Sequence, residues 1–232
     1  MICYQELDKH DIVKKLKPLW KRGGWWWDVD TQKITATVGF DWDSPWVTIR
    51  RTRGFRCKLY HDLVFKIMDV FPTYCLGCWK VVARPDTFED FINCMPVMRE
   101  MNLPSKLGVV PRENTFGLYQ CYFYQDSLAE AKEVEALVRK EFPQGIDIFT
   151  KRFCTEFEEK FGCSDTLEPT AEMYEITEMI EGLIDFPDAW GLQPDLLVEH
   201  IMKGWILKAS QAGDKTAKKY MEQPINAQCV HY

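Results

Sequence analysis

The stretch that decides the fold runs from Trp79 to Phe153. Trp79 to Ala83 (WKVVA), Leu107 to Val110 (LGVV), Phe116 to Tyr124 (FGLYQCYFY) and Ile146 to Phe153 (IDIFTKRF) are short runs rich in β-branched and aromatic residues, the pattern of strands. Between them lie two helical patterns. Thr87 to Met101 (TFEDFINCMPVMREM) offers Asp86 or Thr87 as its cap and Glu89 or Asp90 near its start, with Pro96 as an interruption. Ser127 to Phe142 (SLAEAKEVEALVRKEF) is capped by Asp126 or Ser127 and places Leu128, Ala131, Val134, Leu137 and Val138 at apolar positions. The order is β-α-β-β-α-β, the plan of a ferredoxin-like unit with both helices on one face of a four-stranded sheet.

Upstream, residues 4–20 have the spacing of an amphipathic helix, with Leu7, Ile12, Leu16 and Leu19 near one face, and Gly23-Gly24 stops it. Trp25 to Val29, Lys33 to Phe40 and Trp46 to Arg51 are strand-like, and turn-rich connections join them. The simplest expectation is an N-terminal antiparallel β-meander, followed by a helix over Leu59 to Val70. Downstream, Ala171 to Ile184, Asp195 to Gln211 and Lys215 to Glu222 read as a C-terminal helical region. The sequence thus predicts an α+β chain in three parts, 1–72, 73–165 and 166–232, sharing one compact body.

Composition narrows the function classes. The chain has 232 residues, 46 % hydrophobic and 28 % charged, which excludes wholesale disorder. No run approaches the roughly 18 apolar residues of a membrane span. The first eleven residues carry Glu6, Asp8, Lys9 and Asp11 and lack the apolar stretch of a secretory signal, so a cytoplasmic setting is expected. The net charge of −6 disfavours a general polyanion binder. Charge is uneven, however. Residues 1–66 hold thirteen Lys and Arg against eight Asp and Glu, whereas 151–200 hold three against thirteen. Such asymmetry suits a protein partner.

The motif with chemistry in it is Cys75-Leu76-Gly77-Cys78. Two thiolates at this spacing can hold one metal ion, and the glycine permits the tight turn. A redox CxxC follows a strand and opens a helix, whereas this one precedes a strand. In the expected sheet the start of the first strand lies beside the end of the fourth. That brings Cys78 near Cys154, with Cys163 nine residues further on. Cys75, Cys78, Cys154 and Cys163 are the candidate ligands, for zinc or alternatively an iron–sulfur cluster. Cys229 and His231 are reserve ligands. Nine cysteines in a chain without a visible export signal are otherwise small buried side chains, and Cys94 and Cys121 read that way.

Other candidates are weaker. Arg50, Arg51, Arg53 and Arg56, with tryptophans nearby, are contact candidates for a partner or nucleic acid, against the plainer reading of a solvated strand end. Adjacent residues of Trp25-Trp26-Trp27 must point to opposite faces of a strand. Leu118, Gln120, Tyr122 and Tyr124 share one face of their strand and suggest RNA readout, although the basic-glycine start of the usual motif is absent. Glu156 reads as a general base or metal-site partner, or more simply as part of an acidic helix start. His61 and His200 are lone histidines by sequence. The expected function is a non-enzymatic binding or assembly module stabilised by a cysteine-ligated metal. The alternatives are an iron–sulfur protein or enzyme, and a nucleic-acid binder using the basic aromatic N-terminal region.

Overall fold

The computed structural model describes residues 14, 25–36, 43–50, 57, 60, 61, 65, 70–111, 116–185 and 193–222. The helix expected over 4–20, most of the one over 59–70, Arg51, Arg53, Arg56, Cys229 and His231 lie outside the described residues. Among the described residues the chain is α+β, with seven strands in two antiparallel sheets and six helices. It divides into two compact units. One takes Met1–Phe40, Thr52–Cys78 and Arg152–Gly191, and the other takes Asp41–Arg51, Trp79–Lys151 and Leu192–Tyr232.

The second unit is built on a five-stranded sheet. Its strands are β3 (Trp46–Arg50), β4 (Trp79–Arg84), β5 (Ser105–Val109), β6 (Tyr119–Gln125) and β7 (Asp147–Arg152), in the order β3-β5-β6-β4-β7. Antiparallel register pairs Val81 with Phe123, Ala83 with Cys121 and Leu107 with Cys121, so these side chains share one face. Helices cover that face. In α1 (Phe88–Met101), the Phe91 ring stacks on Tyr119 at 5.3 Å. At the end of α2 (Leu128–Glu141), the Phe142 ring meets Phe123 at 5.8 Å. Trp205 of α5 (Asp195–Gln211) meets Phe91 edge-on at 5.0 Å. Val81, Ala83, Phe91, Leu107, Cys121 and Phe123 are buried at 2 % exposure or less. Burying such side chains stabilises the fold by about 1.5–3 kcal/mol each.

Local chemistry sets the helix ends. Thr87 and Ser127 are the N-caps of α1 and α2, accepting from the Asp90 and Glu130 amides respectively, and Asn102 ends α1 in the left-handed conformation. Pro96 sits inside α1 without ending it. Asp214 precedes α6 (Lys215–Glu222), where its carboxylate accepts from the Thr216 and Ala217 amides. It also accepts from the Phe88 amide at the start of α1 and from the Tyr119 hydroxyl.

The first unit contains β1 (Trp25–Asp28) and β2 (Lys33–Ala36), paired as a hairpin, with α3 (Thr155–Phe161) and α4 (Ala171–Gly182). The Asp28 carboxylate accepts from the Asp30 and Thr31 amides and shapes the hairpin turn. Those two amides hold its pKa below the usual range. Trp27 is half-buried. Ile34 donates its amide to Leu183 O and accepts from Asp185, which ties β2 to the chain after α4.

The expected three-stranded meander is corrected at this point. β1 and β2 form a sheet of their own, and β3 joins β5 instead. The physical reason lies in what β3 carries. Val47 is buried opposite Leu107, and the Trp46 ring needs the bare backbone of Gly108 opposite it. Among the described residues, the outer edge of β3 is closed by a side chain rather than by a strand. The amide group of Gln193 accepts from the Thr48 N–H at 2.7 Å and donates to Trp46 O at 3.0 Å.

Candidate functional site

The Cys75–Cys78 motif occupies a 3-10 turn, Thr73–Gly77. Pro72 leads into it, the Cys75 N–H donates to Pro72 O at 2.8 Å, and the Cys78 N–H donates to Cys75 O at 2.9 Å. The Thr73 N–H donates to Thr177 Oγ1 of α4 at 3.0 Å, which fixes the start of the turn. Beyond β7 the chain returns to this turn. The Phe153 N–H donates to Cys78 O at 3.0 Å. Arg152 donates from Nε to Leu76 O at 2.8 Å and from Nη1 to Ser164 O at 3.3 Å. One guanidinium therefore joins the cysteine turn to the loop after α3, and five donors in a planar fork suit that task.

Phe153 has φ of 50°, left-handed backbone that a bulky residue rarely adopts. The next residue, Cys154, is the N-cap of α3, and its carbonyl accepts from the Phe157 amide at 3.0 Å. Phe153 is held there by aromatic packing. Its ring lies 5.0 Å from Phe71, which in turn meets Phe157 and Phe161 at 5.6 Å each. Cys75 belongs to this buried cluster, and Cys154 packs against it.

Against that cluster stands a set of three possible ligands. His61, Cys154 and Glu156 place an imidazole nitrogen, a thiol sulfur and a carboxylate oxygen all within 4.8 Å of one another, and each residue is half-buried. The His61 ring is oriented by its neighbours. It stacks on Phe157 at 4.9 Å and meets Phe65 edge-on at 6.2 Å. Two turns of chemistry contribute here. Cys154 and Glu156 come from the N-cap and first turn of α3, and His61, itself in helical backbone, comes from a part of the chain remote in sequence. An imidazole, a thiolate and a carboxylate are a mixed set of borderline, soft and hard donors, the kind that zinc accepts.

Of the four cysteines singled out by sequence, this group takes Cys154. Cys75 and Cys78 are buried at 7 % and 4 % exposure, Cys163 is exposed, and all three lie outside the group. The backbone segments meet near the cysteine turn, but the grouped donor atoms differ from the four-thiol set. Glu156 was visible in the sequence as a metal-site partner. His61 was not, because its neighbours in space are remote in sequence. Cys94 and Cys121 are both fully buried, and burial, with Cys94 beside it, pushes the Cys121 thiol well up. They are core thiols. Arg50 is exposed at the end of β3, where its guanidinium lies 3.4 Å from Asn102 O.

No protein-family model, curated protein or solved structure matches this chain. No helix among the described residues is long and apolar enough to cross a membrane.

Proposed function

We propose that the chain is a binding or assembly module stabilised by a metal ion, with zinc at His61, Cys154 and Glu156. The observation that carries this reading is the mutual approach of three chemically different donor atoms within 4.8 Å. Tetrahedral zinc needs donors about 3.5 Å apart. Small rotations of three half-buried side chains close that gap. A bound ion would clamp His61 to the first turn of α3, and so hold the corner at Phe153. Three protein ligands leave a fourth position for water or for a group from a protein partner. The mixed donor set favours zinc over an iron–sulfur cluster, which takes thiolates. In the same reading, β4 to β7 with α1 and α2 are a ferredoxin-like unit.

The test is metal analysis of the purified chain together with cobalt(II) titration. About one zinc per chain is expected, with a thiolate-to-cobalt absorption band in the substituted protein. His61→Ala, Cys154→Ser and Glu156→Gln should each weaken binding by more than the roughly tenfold that follows loss of an outer partner. Cys163→Ser should leave binding unchanged. Iron with sulfide, lost on Cys75→Ser and Cys78→Ser, would replace this reading with the cluster. A chain that binds neither metal would remove both.

A further inference from the structure

α4 and α6 each present a face of like charge to solvent, and the two faces carry opposite signs. α4 holds Glu172, Glu175, Glu178 and Glu181 and no base. Ile176 and Ile180 are buried on one side of it, and Tyr174, Glu175 and Glu178 are exposed on the other. Carboxylates three residues apart on a helix repel one another, and Glu178 and Glu181 lie toward the C-terminal end, where the helix dipole disfavours them. α6 is the reverse. Ala217 is buried, while Lys215, Lys218 and Lys219 share the opposite, exposed face at i, i+3 and i+4. Lys215 opens the helix, at the end where the dipole disfavours a cation. Residues 203–221 hold five lysines against one acid, Asp214, which serves the starts of α1 and α6. Lys219 reaches Glu89 at 3.2 Å. Among the described residues, Lys215, Lys218, Glu175 and Glu178 have no such partner. Met221 lies one turn from Lys218 and adds exposed apolar surface to the lysine face.

We infer that the lysine face of α6 is a docking surface for the acidic face of α4 on a second copy of this chain. The second copy is the occupant because it supplies the complement in both sign and spacing. Glu175 and Glu178 are three residues apart, as are Lys215 and Lys218, so each pair spans one helical turn. Each face alone suffers like-charge repulsion along its own helix, and each relieves the other when they meet. Tyr174 among the acids and Met221 among the lysines, 51 % and 56 % exposed, give the contact an apolar component. A nucleic acid would engage the lysines and leave the acids of α4 and both apolar side chains without a role. The two faces differ, so the contact is heterologous. A copy joined through α6 still offers α4, and association continues past the dimer unless a ring closes. Exposed charges attract over only about 8 Å at physiological ionic strength, so the assembly belongs to the salt-sensitive, transient class. The inference uses no residue of the proposed metal site and does not rest on it.

The experiment is sedimentation velocity of the full chain over a concentration series, at low and at physiological salt. The mean mass should rise with concentration at low salt and fall back toward the monomer as salt is added. Two charge-reversed chains separate the faces, one with Lys215→Glu and Lys218→Glu, the other with Glu175→Lys and Glu178→Lys. Each alone should associate at least about tenfold more weakly than the parent, because two attractions become two repulsions. Their equimolar mixture should recover association, since every reversed face then meets its complement on the other chain. Circular dichroism checks that both reversed chains fold. For one that does not, the milder Lys218→Ala or Glu178→Gln takes its place and should weaken association about threefold. A parent that stays monomeric at low salt, association indifferent to salt or to either reversal, or a mixture no better than its components would each overturn the inference. So would a chain that binds polyglutamate or oligouridylate through Lys215 and Lys218 without associating with itself, which would assign the lysine face to another polyanion.

Discussion

The Trp46 indole lies across Gly108, its cross-strand partner, so closely that a Cβ on Gly108 would stand 2.6 Å from both Trp46 Cε3 and Pro45 O. One of those neighbours is backbone and cannot swing aside. Gly108→Ala should therefore displace Trp46 or splay β3 from β5, at a cost of about 1–3 kcal/mol. Urea denaturation monitored by circular dichroism measures it. A Gly108→Ala chain as stable as the parent would show that the ring does not occupy this seat.

Gln193 makes a second demand on β3. Its single side chain supplies an acceptor and a donor to consecutive edge groups, Thr48 N–H and Trp46 O. Gln193→Ala leaves both without these partners and opens the strand edge. The expected loss is about 1–3 kcal/mol, with faster aggregation on mild heating. Gln193→Glu keeps the acceptor and loses the donor, so it should fall between the two. Denaturation midpoints and light scattering on the three chains check the order.

These two residues also mark where the sequence stopped being legible. The strands and helices between Trp79 and Arg152 were readable because capping residues and alternating apolar positions are local signals, and Thr87 and Ser127 cap where expected. The partner of β3 was not. Its choice depends on a glycine in another strand and a glutamine far along the chain, neither of which leaves a mark near Trp46. The three-donor group divides in the same way. Cys154 and Glu156 are two residues apart and drew attention together, whereas His61 reaches them through ring packing on Phe157 that no spacing encodes.

Asp214 gives a pH dependence of defined sign. Burial raises its pKa, but hydrogen bonds from the Tyr119 hydroxyl, Thr216 and the Phe88 amide outweigh it and bring the value down to about 2 from 3.8. The folded state thus favours the charged carboxylate. The stabilisation is fully present above pH 3.8 and is lost as pH falls toward 2. Discounted for solvent screening of this partly exposed carboxylate, it is on the order of 1 kcal/mol. Asp214→Asn should lower stability at neutral pH by a comparable amount, and should flatten the acid limb of the stability–pH curve. Urea midpoints of both chains across the acid range test this, and parallel curves would exclude Asp214 as the titrating group. Burial of the Tyr119 hydroxyl, together with its hydrogen bond to Asp214 and that carboxylate's charge, pushes it well above its ordinary value, so Tyr119 should remain protonated through alkaline titration of the folded chain.

Phe153 sets two effects against each other, and substitution can separate them. Its backbone is left-handed with φ of 50°, while its ring is 1 % exposed and packed on Phe71. Removing the ring costs about 3–5 kcal/mol in a well-packed core. Relieving the backbone returns about 1–2 kcal/mol, and only glycine does so fully. At an ordinary position glycine is the worse replacement, by about 0.5–1 kcal/mol relative to alanine. Here the order should invert, with both variants less stable than the parent but Phe153→Gly more stable than Phe153→Ala. The two chains should also separate in metal affinity, because the corner at Phe153 delivers Cys154 to its place beside His61. Parallel denaturation and cobalt titrations measure both quantities. Alanine equal to or better than glycine in both would mean that the corner stores no strain and that packing alone places Cys154.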